Sequence, residues 1–146
     1  GFSERNHVKL AHIWNSPKAW ESLSKLKKTP KLAYRLLKYE KKVEKELNVC
    51  AKARDAIIYE LAGVEPPKPG DVLMVDISNS LEKLADLNKR FNEFCQTESD
   101  LEWIGITIEE LIDGLGPESG LSENDLELLE VFFTEKPKPD LKLVEK

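Results

Sequence analysis

Apolar residues recur along the chain mostly at helical spacing, with two short exceptions that alternate. Val8, Ala11 and Trp14 fall near one another if residues 4–15 form a short helix. Ser16-Pro17 is a helix-start signal, and from there Trp20, Leu23 and Leu26 share a face as far as Lys28. Thr29-Pro30 repeats that signal and opens the strongest pattern. From Pro30 to Ala62 there is no internal Gly or Pro, and Lys, Glu, Leu and Ala dominate. A helix of this length is about 50 Å long, which exceeds the width of a compact domain of this size, so part of it needs a partner surface. Gly63 ends it.

Within that helix Leu36, Val43, Cys50 and Ile57 recur every seven residues, with Leu47 and Leu61 four further on from Val43 and Ile57. Such a seam suits a second helix packed at a shallow angle and is the expected site of oligomer contact. Glu40 and Arg54 interrupt it, spaced equally on either side of Leu47. In an antiparallel pair of chains, Glu40 of one copy would approach Arg54 of the other and fix the register. Alternatively, both edge the seam and point to water, or Arg54 binds a carboxylate of its own chain.

The rest of the chain reads as a smaller α/β half over residues 71–133. Residues 64–70 (VEPPKPG) exclude helix. Residues 71–77 (DVLMVDI) and 100–108 (DLEWIGITI) predict two strands, the second with Gly105 as a bulge. Between them a helix capped by Ser78 or Ser80 runs to about Gln96, with Leu84, Leu87, Phe91 and Phe94 on one side. Thr107 and Glu110 fit a capping box, residues 113–120 (DGLGPESG) a loop, and Ser122 opens a last helix carrying Leu126, Leu129 and Phe133. The expected fold is mainly α with a minor two-stranded β element: one domain over residues 1–135 and a flexible tail over 136–146.

Charge changes this picture. Residues 18–54 hold 12 Lys and Arg against four Glu, whereas residues 60–135 hold 19 Asp and Glu against four Lys and Arg. The halves are expected to attract one another, within or between chains, or to meet a charged partner. Lys27, Lys28, Lys31, Arg35, Lys38 and Lys42 could track a nucleic-acid backbone, although Glu40, Glu44 and Glu46 interrupt the field.

Catalytic chemistry finds little support. His7 and His12 lie five apart, which does not stack them for metal ligation. The glycine-rich loop lacks the Lys and Ser/Thr of a phosphate-binding loop, and Leu115 stands where a calcium loop needs an oxygen. The carboxylates sit in no visible cleft. Cys50 and Cys95 read as small buried hydrophobes. No metal, cofactor or catalytic residue is assigned. With no membrane-spanning run and no secretory pattern, the expected compartment is the cytoplasm.

The stretch carrying Pro30, Ala33, Tyr34, Arg35, Leu36, Glu46, Leu47 and Arg54 resembles small uncharacterised proteins of tailed phages and prophages. So do residues 91–94, the segment ITIEEL (106–111), and the closing pattern of Leu121, Ser122, Asp125, Leu126, Leu129, Glu130 and Phe132. The resemblance covers about residues 20–133. Val131 stands where proline is expected, and the first 15 residues and the tail depart from the group. It implies a viral or prophage origin, hence a bacterial cytoplasm, and assigns no activity and no functional residues. The function expected is non-enzymatic, acting through a protein partner or homo-oligomer, with nucleic-acid binding as the alternative.

Overall fold

The computed structural model describes residues 8–116 and 120–134, so His7 and the expected tail over 136–146 lie outside the described residues. The chain is mainly helical. In order come α1 (Leu10–Trp14), α2 (Pro17–Ser24), α3 (Pro30–Ala62), α4 (Leu81–Cys95), α5 (Ile108–Leu115) and α6 (Glu123–Glu130). Short polar side chains set most of the helix starts. Thr29, Ser80, Thr107 and Ser122 each accept a hydrogen bond from the backbone N–H three residues on, and Thr107 with Glu110 completes a capping box. Ser16 behaves differently: it is fully buried and its Oγ donates to the Ile13 carbonyl at 2.9 Å, closing α1 rather than capping α2. Gly63, left-handed at φ +74°, ends α3.

The packing is helix on helix. α3 lies against α1 and α4, α1 also touches α4, and α2 packs on α6. Leu32, Leu36, Tyr39, Val43 and Cys50 are the buried face of α3, and none of its residues beyond Cys50 is fully buried. An aromatic knot fills the centre. Phe132 meets Trp20 at 5.3 Å and Tyr39 at 6.3 Å between ring centroids, both edge-on, and Phe132 is fully buried.

The two expected strands do not form a β element. Among the described residues there are only two isolated bridges, Lys9 with Glu98 and Thr107 with Thr134. Residues 98–107 are extended, but their backbone is shared between the two ends of the chain. Ser99 N donates to Val8 O and Val8 N to Leu101 O on one side; Ile104 N donates to Phe132 O and Thr134 N to Ile106 O on the other. Neither neighbour runs alongside long enough for a ladder, and Gly105 (φ +90°) turns the chain between them. The other segment, 71–77, is extended with no backbone pairing between residues 72 and 76 among the described residues.

α5 reaches further than the sequence indicates, taking Asp113, Gly114 and Leu115 out of the expected loop. Gly114 is there for contact rather than for turning. Its carbonyl accepts from Thr29 N at 3.0 Å, and a β-carbon on it would sit 2.6 Å from Leu32 Cδ2 and 3.1 Å from Leu32 Cβ. Gly114→Ala would gain about 1 kcal/mol in helix propensity. Displacing Leu32, itself buried, is expected to outweigh that, because overpacking costs about 1–3 kcal/mol. A net loss of 1 kcal/mol lowers the melting temperature by about 2–4 °C in a chain of this size. A thermal melt of Gly114→Ala checks it, and a rise in melting temperature would show that the α3–α5 contact yields.

Candidate functional site

α3 carries every residue singled out by the seven-residue pattern, and its two ends have different surroundings. Leu36, Val43 and Cys50 are buried within the chain's own core. Leu47 and Ile57 are half-buried and packed against that core, and Leu61 is half-buried near the helix end. The expected inter-chain seam is therefore covered within one chain along its first half. A heptad pattern marks which face of a helix is buried but not which chain buries it, and here α1 and α4 do so.

Glu40 and Arg54, the two interruptions, look into separate grooves. Glu40 lines a groove of about 210 Å³ between α2 and α3, with Glu21 and Glu44 as further carboxylates and Trp20, Val43 and Leu47 as apolar lining. Burial is the main reason its carboxyl titrates above the usual range. Lys28 opposes the shift and Glu44 adds to it. Arg54 lines a groove of about 400 Å³ shared with α1 and α4 and containing no carboxylate. Within one chain the two do not meet.

The basic face is thinner than the sequence suggests. Lys31, Arg35, Lys38 and Lys42 follow one another at intervals of three and four on α3, so they form one stripe. Two members of the expected set are used internally. Lys28 Nζ donates to Leu26 O at 2.6 Å and Ser24 O at 3.3 Å, satisfying carbonyls at and just beyond the end of α2. The Arg35 guanidinium reaches the Ile104 carbonyl at 3.5 Å and lies against Gly105. Lys27, Lys31, Lys38 and Lys42 remain exposed, with Lys38 above the Tyr34 ring at 5.4 Å.

The buried ionisable groups point to structure. Tyr39 Oη donates to the Glu102 carbonyl at 2.5 Å, and burial followed by the neighbouring Glu102 pushes its pKa up. Burial, then Cys95 and Glu46, pushes the Cys50 thiol up to about 11, and burial raises Cys95 as well. Both thiols are therefore protonated near neutral pH and poor nucleophiles. Among the described residues no three His, Cys, Asp or Glu side chains gather as a metal site, and no described helix is long and apolar enough to cross a membrane.

One surface escaped the sequence pattern. Residues 71–77 run beside the distal part of α3, where Asp55, Ile58 and Tyr59 form a shallow groove of about 320 Å³ with residues 71–75. Exposure alternates along this arm. Val72 and Met74 are 84% and 87% exposed, while Leu73 is 39% and Ile77 only 7%. Leu81, 84% exposed, follows shortly after. The signal was present in the sequence: apolar residues on both faces of a strand need cover on both.

Comparison with family models, with curated proteins and with solved structures returned no match. The function therefore has to be argued from these surfaces.

The raised titration of Glu40 gives a pH signature. A carboxyl held above its unfolded-state pKa takes up a proton more readily in the folded chain, so its ionisation works against folding and its contribution improves as pH falls through the folded pKa. Glu40→Gln is expected to be at least as stable as the parent at pH 7, with the difference closing on acidification. Melting temperatures of both proteins between about pH 4 and pH 7 check this, using the ordinary glutamate pKa near 4.3 as reference. A parent that loses ground to Glu40→Gln on acidification would contradict the assignment.

Proposed function

We propose that this chain is a non-enzymatic protein of a tailed phage or prophage that works by binding another protein, in particle assembly or on a host component. The observation that carries the binding reading is the arm over residues 71–77. Its outward side chains, Val72 and Met74, are together with Leu81 the most exposed large hydrophobic residues described in the chain. Its backbone between residues 72 and 76 has unused donors and acceptors among the described residues. An extended, apolar, unpaired segment is the preferred template for an added strand: the partner's backbone supplies hydrogen bonds and its side chains cover the outward face. The phage origin rests on the resemblance over residues 20–133.

The arm is also well mounted for this role. Ile77 anchors one end in the protein. At the other, Pro66, Pro67 and Pro69 stiffen the approach and reduce the entropy lost when a partner fixes it. α3 stands behind it, held to α4 by Arg90, which pairs with Glu60 at 3.1 Å and with Asp86 at 3.4 Å.

Affinity capture from infected host cells tests the proposal. The tagged chain should retain a specific protein, with and without nuclease, and Val72→Ser/Met74→Ser should lose it. Both residues are solvated, so the double variant should keep its melting temperature, in line with surface changes worth within about 0.5 kcal/mol. Capture that ignores the double substitution, or that nuclease abolishes, would overturn the reading.

A second reading draws on the exposed stripe of Lys31, Lys38 and Lys42 with Lys27 nearby, none of which has an ion pair among the described residues. If that stripe contacts nucleic acid, a mobility shift should appear at low salt, weaken steeply as salt rises, and fall in Lys38→Gln/Lys42→Gln. Absence of a shift at low salt removes this alternative.

A further inference from the structure

The groove between α1, α3 and α4 is built unlike the other surfaces of this acidic chain. Asn88 and Asn92 of α4 and Gln96 at its C-terminal cap recur every four residues, so their carboxamides form one row along the groove. Beside that row lies Phe91, and across from it Trp14 of α1 packs edge-on to the Phe91 ring at 4.9 Å. All three carboxamides are exposed, so the row forms the solvent-facing side of the groove, with the buried Phe91 beside it. The space between the helices is about 400 Å³, within the range of about 300–1,000 Å³ that small-molecule sites occupy.

Arg54 supplies the charge. It is half-buried and has no ion pair or hydrogen bond among the described residues. No Asp or Glu lines the groove, although the chain carries 27 of them. A guanidinium keeps its charge at any physiological pH and presents a planar fork of donors that matches a carboxylate. The carboxamides add neutral donors and acceptors, and the two rings, 76° apart in plane, give an apolar corner against which a ring can pack.

The groove also selects among anions. Gln96 follows the last residue of α4, so the C-terminal end of that helix opens onto the groove. That end carries partial negative charge. One arginine against that background balances a singly charged anion better than a phosphate dianion.

We propose that this groove binds a free small carboxylate bearing a flat apolar group, anchored by Arg54 and the carboxamide row of α4. The assignment is independent of the arm and of the partner that the arm takes.

Phenylacetate is the probe, and the readout is the amide spectrum of the isotopically labelled full chain. Saturable shifts are expected at the side-chain amides of Asn88, Asn92 and Gln96 and at the indole of Trp14. Arg54→Gln should weaken binding by about tenfold or more, the scale of one charge-assisted hydrogen-bonded pair, and Arg54→Lys should retain part of it. Asn92→Leu, at an exposed position, supplies the same comparison should Arg54→Gln fail to fold. 2-Phenylethanol, which keeps the ring and loses the charge, and inorganic phosphate should leave those signals in place. Absence of saturable shifts, equal binding by Arg54→Gln and Asn92→Leu, or equal binding of phosphate would overturn the proposal. Tighter binding of an acetylated, amidated Phe-Glu dipeptide than of phenylacetate would overturn the free-acid assignment and move the ligand to a segment of protein.

Discussion

Residues 99–107 form no regular element, yet three other parts of the chain close onto their backbone. Val8 exchanges hydrogen bonds with Ser99 and Leu101, Phe132 and Thr134 with Ile104 and Ile106, and Tyr39 and Arg35 of α3 reach the carbonyls of Glu102 and Ile104. Ser99 adds a side-chain bond to Val8 O at 2.6 Å. Buried backbone groups have to be paired somewhere, and here no ladder supplies the partners. Both described ends of the chain, and the first half of α3, are consequently drawn to one short segment. The aromatic knot of Trp20, Tyr39 and Phe132 sits over it, which couples the apolar core to this backbone pairing.

That arrangement explains why charge segregation does less than its size suggests. A basic half facing an acidic half invites the idea that they dock electrostatically. Among the described residues, however, the ion pairs are Lys25 with Glu21, Arg90 with Glu60 and Arg90 with Asp86. Two of these join residues four apart in sequence, and the third uses a cation from the acidic half. Partly exposed pairs of this kind contribute little each. The halves are joined by burial and backbone bonding, which leaves the lysines of α3 and the carboxylates of the second half facing solvent.

The helix boundaries of α3 could be read from the sequence because local chemistry alone sets them: Thr29 and Pro30 at one end, Gly63 at the other. The capping box at Thr107 was equally local. That the two expected strands do not pair was not legible, since alternation shows that a segment is extended but not what lies beside it. Residues 100–108 and 71–77 look alike as strings, yet one is pinned between the chain's ends and the other rides on α3. Gly114 fell outside the pattern for a similar reason: it is required by Leu32, 82 positions away in sequence. Arg54 was noticed as an irregularity in the seam, but its surroundings come from α1 and α4, and only their packing brings Trp14 and Phe91 beside it.

The two halves of α3 therefore stand in different physical situations. Up to Cys50 the helix is an internal beam, buried on one face by its own chain and striped with lysine on another. Beyond Cys50 its residues are at most half-buried, and α4 and the arm lie alongside. Substitutions in the first half should act mainly through stability, because each removes core volume or a bond to the 99–107 segment. Substitutions at the exposed positions of the second half, unlike those at Ile57, which still packs on the core, change surfaces that the core does not need. A helix about 50 Å long is more than the core requires, and its excess length carries both the arm and the Arg54 groove away from the aromatic knot. Separating the load of folding from the surfaces available for binding lets either surface change with small cost to the fold.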